Sequence, residues 1–66
     1  MIDHEAEVKK VYPNAIELDN DSETHYANLC WISDGNGNDI SEDCKWSDDA
    51  WRSAYNNLVS QGLITP

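Results

Sequence analysis

The last third of the chain carries the pattern that most limits its possible folds, an apolar stripe at helical spacing bounded by a start signal and a stop signal. The stripe consists of Ala50, Trp51, Ala54, Tyr55, Leu58 and Val59. Ser47 is expected to be the N-cap, and Asp48 and Asp49 follow in the first turn, where the helix dipole favours negative charge. Gly62 is expected to end the helix in a left-handed conformation. These signals predict a helix over residues 47–61.

Two apolar contacts are expected to fix the ends of this helix. Trp46 precedes the predicted cap and is expected to pack on Trp51 as a hydrophobic staple. Leu63 is expected to touch Leu58, the contact that accompanies a Schellman motif.

The start of the chain carries a second, shorter set of helix signals, from Ile2 to Tyr12. Asp3 is expected to cap this helix, and Glu5 and Lys9 have the i,i+4 spacing and order of a favourable ion pair. Pro13 is expected to stop it, because a proline pushes the preceding residue out of the helical region.

The middle of the chain carries strand and turn signals. Ile16 and Leu18 alternate with two acids, which is typical of a short half-buried strand. A second strand is predicted from His25 or Tyr26 to Ser33, residues 34–39 supply the Asn-Gly and Asp-Gly pairs of a hairpin loop, and Ile40 to Cys44 are predicted to return as a third strand. The prediction is a single α+β domain over residues 1–66, with a three-stranded antiparallel sheet and the last helix packed on one face.

A turn centred near Gly37 would place Cys30 opposite Cys44 and Ile32 opposite Glu42. The predicted core face of the sheet is even-numbered: Tyr26, Cys30, Ile32, Ile40 and Cys44. The opposite face would then expose Leu29 and Trp31 beside acids, as a docking surface. The reverse assignment, with Leu29 and Trp31 buried, stays open at this point.

The central segment of the chain holds the whole net charge of −9. Positions 17–49 contain ten acids and one base, Lys45, and the charges of the two flanking segments sum to zero. Such a field repels nucleic acid and anionic lipid and attracts a basic protein surface. The predicted partner is therefore a protein with a basic surface, and neither nucleic acid nor a membrane. The predicted partner-binding residues are Glu17, Asp19, Asp21, Glu23, Asp34, Asp39, Glu42, Asp43 and Trp31.

Four of these acids recur at every second position, at 17, 19, 21 and 23. In an extended backbone they would project from one side about 6.6 Å apart, twice the rise of a strand, which is of the order of the spacing of DNA phosphates. The sequence therefore permits DNA mimicry. The competing interpretation is a solvated edge strand whose charge prevents aggregation.

Metal binding, cofactors and catalysis have little support in the sequence. Asp34, Asn36 and Asn38 have the first three spacings of a calcium loop, but Asp39 replaces the turn glycine and Lys45 the final glutamate. The cysteines and histidines lack the short spacings of a zinc site, so no metal or cofactor is expected. A disulfide between the two cysteines depends on the predicted register, and reduced thiols are expected. With no base beside a nucleophile, the chain is not expected to be an enzyme.

One resemblance is carried by the stretch from Cys30 to Leu58, with Trp-Ile-Ser-Asp-Gly-Asn-Gly-Asn-Asp-Ile-Ser followed by Trp46-Ser47 and Ala50-Trp51-x-x-Ala54-x-x-x-Leu58. It is similar to the hairpin-then-helix end of many small phage and prophage open reading frames. Acidic phage proteins of this size resemble anti-CRISPR and anti-restriction inhibitors. The resemblance implies an inhibitor of a host defence complex, acting in the cytoplasm by occlusion or DNA mimicry. The alternative function is a small accessory or assembly module that docks through the Leu29 and Trp31 face or homodimerises by a sheet edge.

Overall fold

The computed structural model describes residues 2–19 and 29–66 of the 66-residue chain. In chain order these residues form helix α1 (His4–Val11), strand β1 (Ile16–Asp19), strand β2 (Cys30–Ser33) and helix α2 (Ser47–Ser60). This confirms the α+β class and the two predicted helices. The predicted beginning of the second strand, and the acids at positions 21 and 23, lie outside the described residues.

Helix α1 forms as its sequence signals predict. The Asp3 side chain accepts a hydrogen bond from the Ala6 backbone N–H at 3.1 Å, so Asp3 is the N-cap. The Lys9 ammonium lies 2.6 Å from the Glu5 carboxylate. The helix ends at Val11, with Tyr12 as C-cap.

Helix α2 buries the predicted stripe except for Val59, which is half-buried, and it ends at Ser60, two residues before the predicted glycine. The buried side chains are Ala50, Trp51, Ala54, Tyr55 and Leu58. Gly62 has a φ of +78°, and its N–H donates to the Val59 carbonyl at 3.0 Å. The Leu63 N–H donates to the Leu58 carbonyl at 2.9 Å, so both hydrogen bonds of a Schellman motif are made.

The contacts at the ends of α2 differ from the prediction. The N-cap is Trp46 rather than Ser47, and it makes no side-chain capping hydrogen bond. The Trp46 side chain is 64% exposed, so the predicted staple is wrong. At the other end Leu63 is 49% exposed, and Ile64 is the residue that packs against the core.

The two strands form an antiparallel sheet in which Leu18 lies opposite Trp31 and Glu17 lies opposite Ile32. Directly opposed residues share a face, and successive residues alternate between faces. Because Ile32 is fully buried in the core, Glu17 projects on the helix side of the sheet, while Leu18 and Trp31 project on the other side. Leu18 therefore pairs with Trp31, and Ile16 with Ser33, on the side of the sheet away from the core.

The segment after the hairpin loop was predicted to be a third strand, and among the described residues it is not one. It meets β2 at two isolated bridges, Cys30 with Cys44 and Ser33 with Asp39. The predicted pairing of the two cysteines is confirmed. The predicted pairing of Ile32 with residue 42 is wrong, since the Ile40 N–H donates to the Ile32 carbonyl at 2.8 Å.

The third strand does not form because the chain bulges over residues 41–43, and side chains take the hydrogen bonds that a strand backbone would make. The Ser41 hydroxyl accepts the Ile32 N–H at 2.7 Å, a bond that a strand backbone would otherwise make. The Glu42 N–H donates to the Ser53 hydroxyl of α2 at 3.0 Å. Asn57 of α2 donates its side-chain amide to the Ile40 carbonyl at 3.1 Å. The returning segment is thus bound to α2 as well as to β2.

The core lies between the two helices and the helix-facing side of the sheet. Its buried hydrophobic members are Val8, Ala15, Cys30, Ile32, Ala50, Trp51, Ala54, Tyr55 and Leu58, with Ile40 and Cys44 among the partly buried residues packed against it. The even-numbered core face is confirmed for the described residues, and Tyr26 lies outside them. No helix in the described ranges is long and apolar enough to cross a membrane.

The hairpin loop uses its predicted glycines, since Gly35 and Gly37 have φ values of +89° and +92°. Gly35 also approaches the turn between α1 and β1. A Cβ at this position would lie 2.5 Å from the Asn14 carbonyl oxygen, whereas a Cβ at Gly37 would meet nothing within 4 Å. The loop is therefore packed against the N-terminal half of the chain at one of its two glycines.

Candidate functional site

Carboxylates from three separate segments surround the pair formed by Cys30 and Cys44. We call this group the acidic cluster, and it consists of Glu17, Asp19, Glu42, Asp43 and Asp49. The tightest part lies on the sheet, where the Cys30 sulfur and carboxylate oxygens of Glu17 and Asp19 all lie within 4.8 Å of one another. Strand geometry explains this, because Asp19 lies directly opposite Cys30 and Glu17 is on the same face two residues away.

The position of Glu17 is fixed by the start of α2. The Ser47 hydroxyl donates a hydrogen bond to the Glu17 carboxylate. The serine predicted to cap its own helix thus connects that helix to β1. Glu17 is half-buried as a result, whereas Asp19 at the end of the strand is exposed.

The other carboxylates of the acidic cluster act on Cys44. The bulge carries Glu42 and Asp43, both exposed, and Asp49 lies in the first turn of α2. Burial raises the pKa of the Cys44 thiol, and the negative charges of these three acids raise it further, while Arg52 opposes them. Their charges therefore meet around this side chain.

The Cys30 thiol is also surrounded by negative charge, here mainly from the carboxylates of β1. Burial is the largest cause of its raised pKa, followed by the charges of Glu17 and Asp19, with smaller contributions from Cys44 and Asp49. Because a thiolate would add negative charge to this group, both cysteines are held protonated to a higher pH than ordinary thiols.

An exposed aromatic side chain borders the acidic cluster. Trp46 precedes Ser47, which contacts Glu17, and the Lys45 ammonium lies 5.8 Å from the centre of a Trp46 ring. The surface thus combines carboxylates with an indole that already accepts a cation on its face. Sequence reasoning missed Trp46 as a surface residue, because a tryptophan just before a helix is also the pattern of a staple.

Asp34 was predicted to lie on the partner-binding surface, and the structure places it inside the hairpin loop instead. It is 7% exposed, and its carboxylate accepts the backbone N–H groups of Asn36 at 2.7 Å and Asn38 at 3.2 Å, together with the Asn38 side-chain amide at 3.1 Å. The hydrogen bonds from Asn36 and Asn38 lower the pKa of Asp34. This carboxylate holds the turn and is not free to meet a partner or a calcium ion.

The remaining predicted residues divide between two places. Asp39 is exposed, but it pairs with Ser33 at the far end of β2 from Cys30. Trp31 is half-buried and faces Leu18 on the side of the sheet away from the helices. Of the predicted set, the structure brings together Glu17, Asp19, Glu42 and Asp43, to which Asp49 is added.

Two sets of side chains are relevant to metal binding and catalysis, one beside Cys30 and one around His4. The Cys30 sulfur with the Glu17 and Asp19 carboxylates offers three potential ligand atoms to a cation. The ring of His4 packs edge-on against Tyr55, with the ring centres 4.9 Å apart, so this histidine has a packing role between α1 and α2.

Comparisons with known proteins leave the family open. No protein-family model, curated protein or solved structure matches this chain.

Proposed function

We propose that this protein is a non-enzymatic inhibitor of the phage type, which binds the basic surface of a nucleic-acid-handling host protein through the acidic cluster. The observation that supports the proposal is the convergence of carboxylates from β1, the bulge and α2 around one pair of residues. Acids that served solubility alone would have no reason to be crowded, because crowding raises the electrostatic energy of the folded chain. A defence complex that handles nucleic acid is the proposed target.

The mechanism is occlusion of a cationic groove. Glu17 and Asp19 share one face of a strand, and their carboxylate oxygens lie within 4.8 Å of each other, so they present two adjacent negative charges. A groove that exchanges counterions for phosphates would accept these carboxylates in the same way, with DNA mimicry as a consequence. Asp21 and Glu23 continue the spacing in the sequence and belong to the proposed surface on that ground.

Trp46 is the proposed apolar anchor of the interface. Charges at an interface set the rate and selectivity of encounter, whereas buried aromatic side chains supply much of the binding energy. The indole is exposed beside the acidic cluster and already receives Lys45. A lysine or arginine of the partner could replace Lys45 on the ring while neighbouring cations face Asp19 and Asp43.

The test is affinity capture from host lysate with matched charge variants. Asp19→Asn with Asp43→Asn removes two charges from the acidic cluster, and Glu5→Gln with Glu7→Gln removes two charges from α1. We expect the first variant to lose the captured protein and the second to keep it. Capture should weaken steeply between about 50 and about 200 mM salt, and duplex DNA should compete with the chain. Equal capture by both variants would refute the proposal.

A second candidate function is an assembly module that docks through the outer face of the sheet. The supporting observation is that Leu18 and Trp31 pair on that face beside Ile16, which is 46% exposed. Leu29 is half-buried and would extend the surface. Such a module would bind with little salt dependence and would lose its partner on Trp31→Ala, while the charge variants kept it.

A further inference from the structure

The two cysteines occupy a position in the sheet that suits a covalent bond between them. Cys30 and Cys44 exchange both of their backbone hydrogen bonds, each 2.7 Å long. In such an antiparallel pair the Cα atoms lie about 5.5 Å apart. This separation is close to the commonest value for disulfides, and the two side chains share a face of the sheet.

The two thiols are free and differ in access. The Cys30 thiol is buried and donates a hydrogen bond to the Cys44 carbonyl at 3.3 Å, so its sulfur already points along the pair. Cys44 is only half-buried, and its thiol donates to the Glu42 carbonyl at 3.4 Å. Cys44 is the more accessible of the two thiols, so it is the residue that a small reagent reaches first.

We propose that the dithiol of Cys30 and Cys44 is a modification site that closes to an intramolecular disulfide by exchange with small disulfides, and that the acidic cluster selects cationic over anionic ones. In the first step the Cys44 thiolate attacks one sulfur of the reagent RSSR, the reagent S–S bond breaks, and one thiol RSH leaves after taking up a proton. In the second step the Cys30 thiolate attacks the Cys44 sulfur and releases the second RSH. Two protein thiols are oxidised and one RSSR is reduced to two thiols.

Charge selection follows from the position of the carboxylates. A reagent that approaches Cys44 meets the charges of Glu42, Asp43 and Asp49, with Arg52 as the neighbouring cation. Cystamine is a dication and is attracted, oxidised glutathione is an anion and is repelled, and hydroxyethyl disulfide is neutral. Because burial and nearby carboxylates raise the pKa of both thiols, exchange should accelerate as the pH rises above neutral.

Closure would also stabilise the fold. The bond would join residues 30 and 44 across the hairpin loop, which removes conformational freedom from the unfolded chain. For a loop of this length in a small domain, the melting temperature should rise by on the order of 10 °C, and a reductant should reverse the increase.

The experiment follows the reduced full-length chain with each of the three reagents, in the presence of a metal chelator. Samples are quenched with an alkylating reagent and weighed intact by mass spectrometry. We expect a monomer lighter by two hydrogen atoms, at a rate that does not depend on protein concentration. The order of rates should be cystamine, hydroxyethyl disulfide, oxidised glutathione, and salt should compress the differences. A stable mixed disulfide on the wild-type chain, or covalent dimers, would overturn closure.

Matched variants separate the steps. Cys30→Ser should accumulate a mixed disulfide on Cys44, whereas Cys44→Ser should react much more slowly because its remaining thiol is buried. Glu42→Gln with Asp43→Asn should reduce the ratio of cystamine to glutathione rates, and the α1 pair Glu5→Gln with Glu7→Gln should leave it unchanged. Equal ratios in the two charge variants would overturn the selection, and equal rates in the two cysteine variants would overturn the order of attack. Circular dichroism of each reduced variant verifies that the fold is retained.

Discussion

At the scale of single residues, alanine substitutions at the two glycines of the hairpin loop distinguish two effects on stability. One is the cost of a left-handed backbone conformation, and the other is the cost of a close contact. Both have positive φ, but only Gly35 approaches another segment, at Asn14. Gly37→Ala should reduce the free energy of unfolding by about 1 to 2 kcal/mol, the cost of a left-handed conformation. Gly35→Ala should cost more, because the added methyl group also collides with backbone. Urea unfolding of both variants tests this, and equal losses would contradict the contact.

Asp34 gives the loop a pH dependence whose sign is defined. The pKa of its carboxyl is lowered in the folded chain, so the ionised form is the one that stabilises the loop. This stabilisation is complete above the pKa of the unfolded chain and is lost as the pH falls through the lower folded value. Asp34→Asn should therefore melt below the wild type at pH 7, and the difference should shrink in acid. A difference that stays constant down to about pH 2 would show that charge is not the cause.

At the scale of elements, the tryptophan that precedes α2 and the tryptophan in its second turn have opposite roles. Trp51 is buried in the core, whereas Trp46 is exposed at the N-cap. Trp51→Ala should cost about 3 to 5 kcal/mol, which is most of the stability available to so short a chain. Trp46→Ala should change stability by no more than about 0.5 kcal/mol. Far-ultraviolet circular dichroism and urea titration distinguish the two, and unfolding of the Trp46 variant would contradict its assignment to the surface.

The elements that the sequence predicts well are those whose signals lie within them. Helix α1 carries its own cap at Asp3, and α2 carries its own stripe and its own stop at Gly62, so both could be placed before the structure was known. The third strand could not be excluded in this way. Its backbone groups are taken by Ser53 and Asn57, which belong to an element that follows it in the chain.

The candidate site could also be predicted only as far as its signals lie within one segment of the chain. Counting charges identifies the acidic segment, and alternation places Glu17 and Asp19 on one face. Nothing local to Asp34 shows that its carboxylate turns inward, since that depends on the loop closing around it. The exposure of Trp46 likewise depends on how α2 docks, and the joining of Asp49 to the site depends on tertiary packing.

At the scale of the whole molecule, a net charge of −9 makes stability depend on salt. Repulsion within the acidic cluster opposes folding, and added ions screen it, since the screening length falls from about 30 Å at 0.01 M to about 10 Å at 0.1 M. The melting temperature should rise over this range. Asp19→Asn with Asp43→Asn should melt above the wild type at low salt and respond less to salt. Identical salt responses of variant and wild type would show that the cluster carries no repulsive energy.

The bulge makes the two edges of the sheet unequal in how readily they could pair with another strand. On its side, the Ile40 carbonyl and the Glu42 N–H are already bonded to α2, so an incoming chain would have to break those bonds before it could add there. Among the residues that the structure describes, β1 forms the other edge, and there a second copy would bring Glu17 and Asp19 against their own counterparts. Fibrous self-assembly of the native fold is therefore opposed by existing hydrogen bonds to α2 at one edge and by repulsion between carboxylates at the other. Acidification removes only the repulsion.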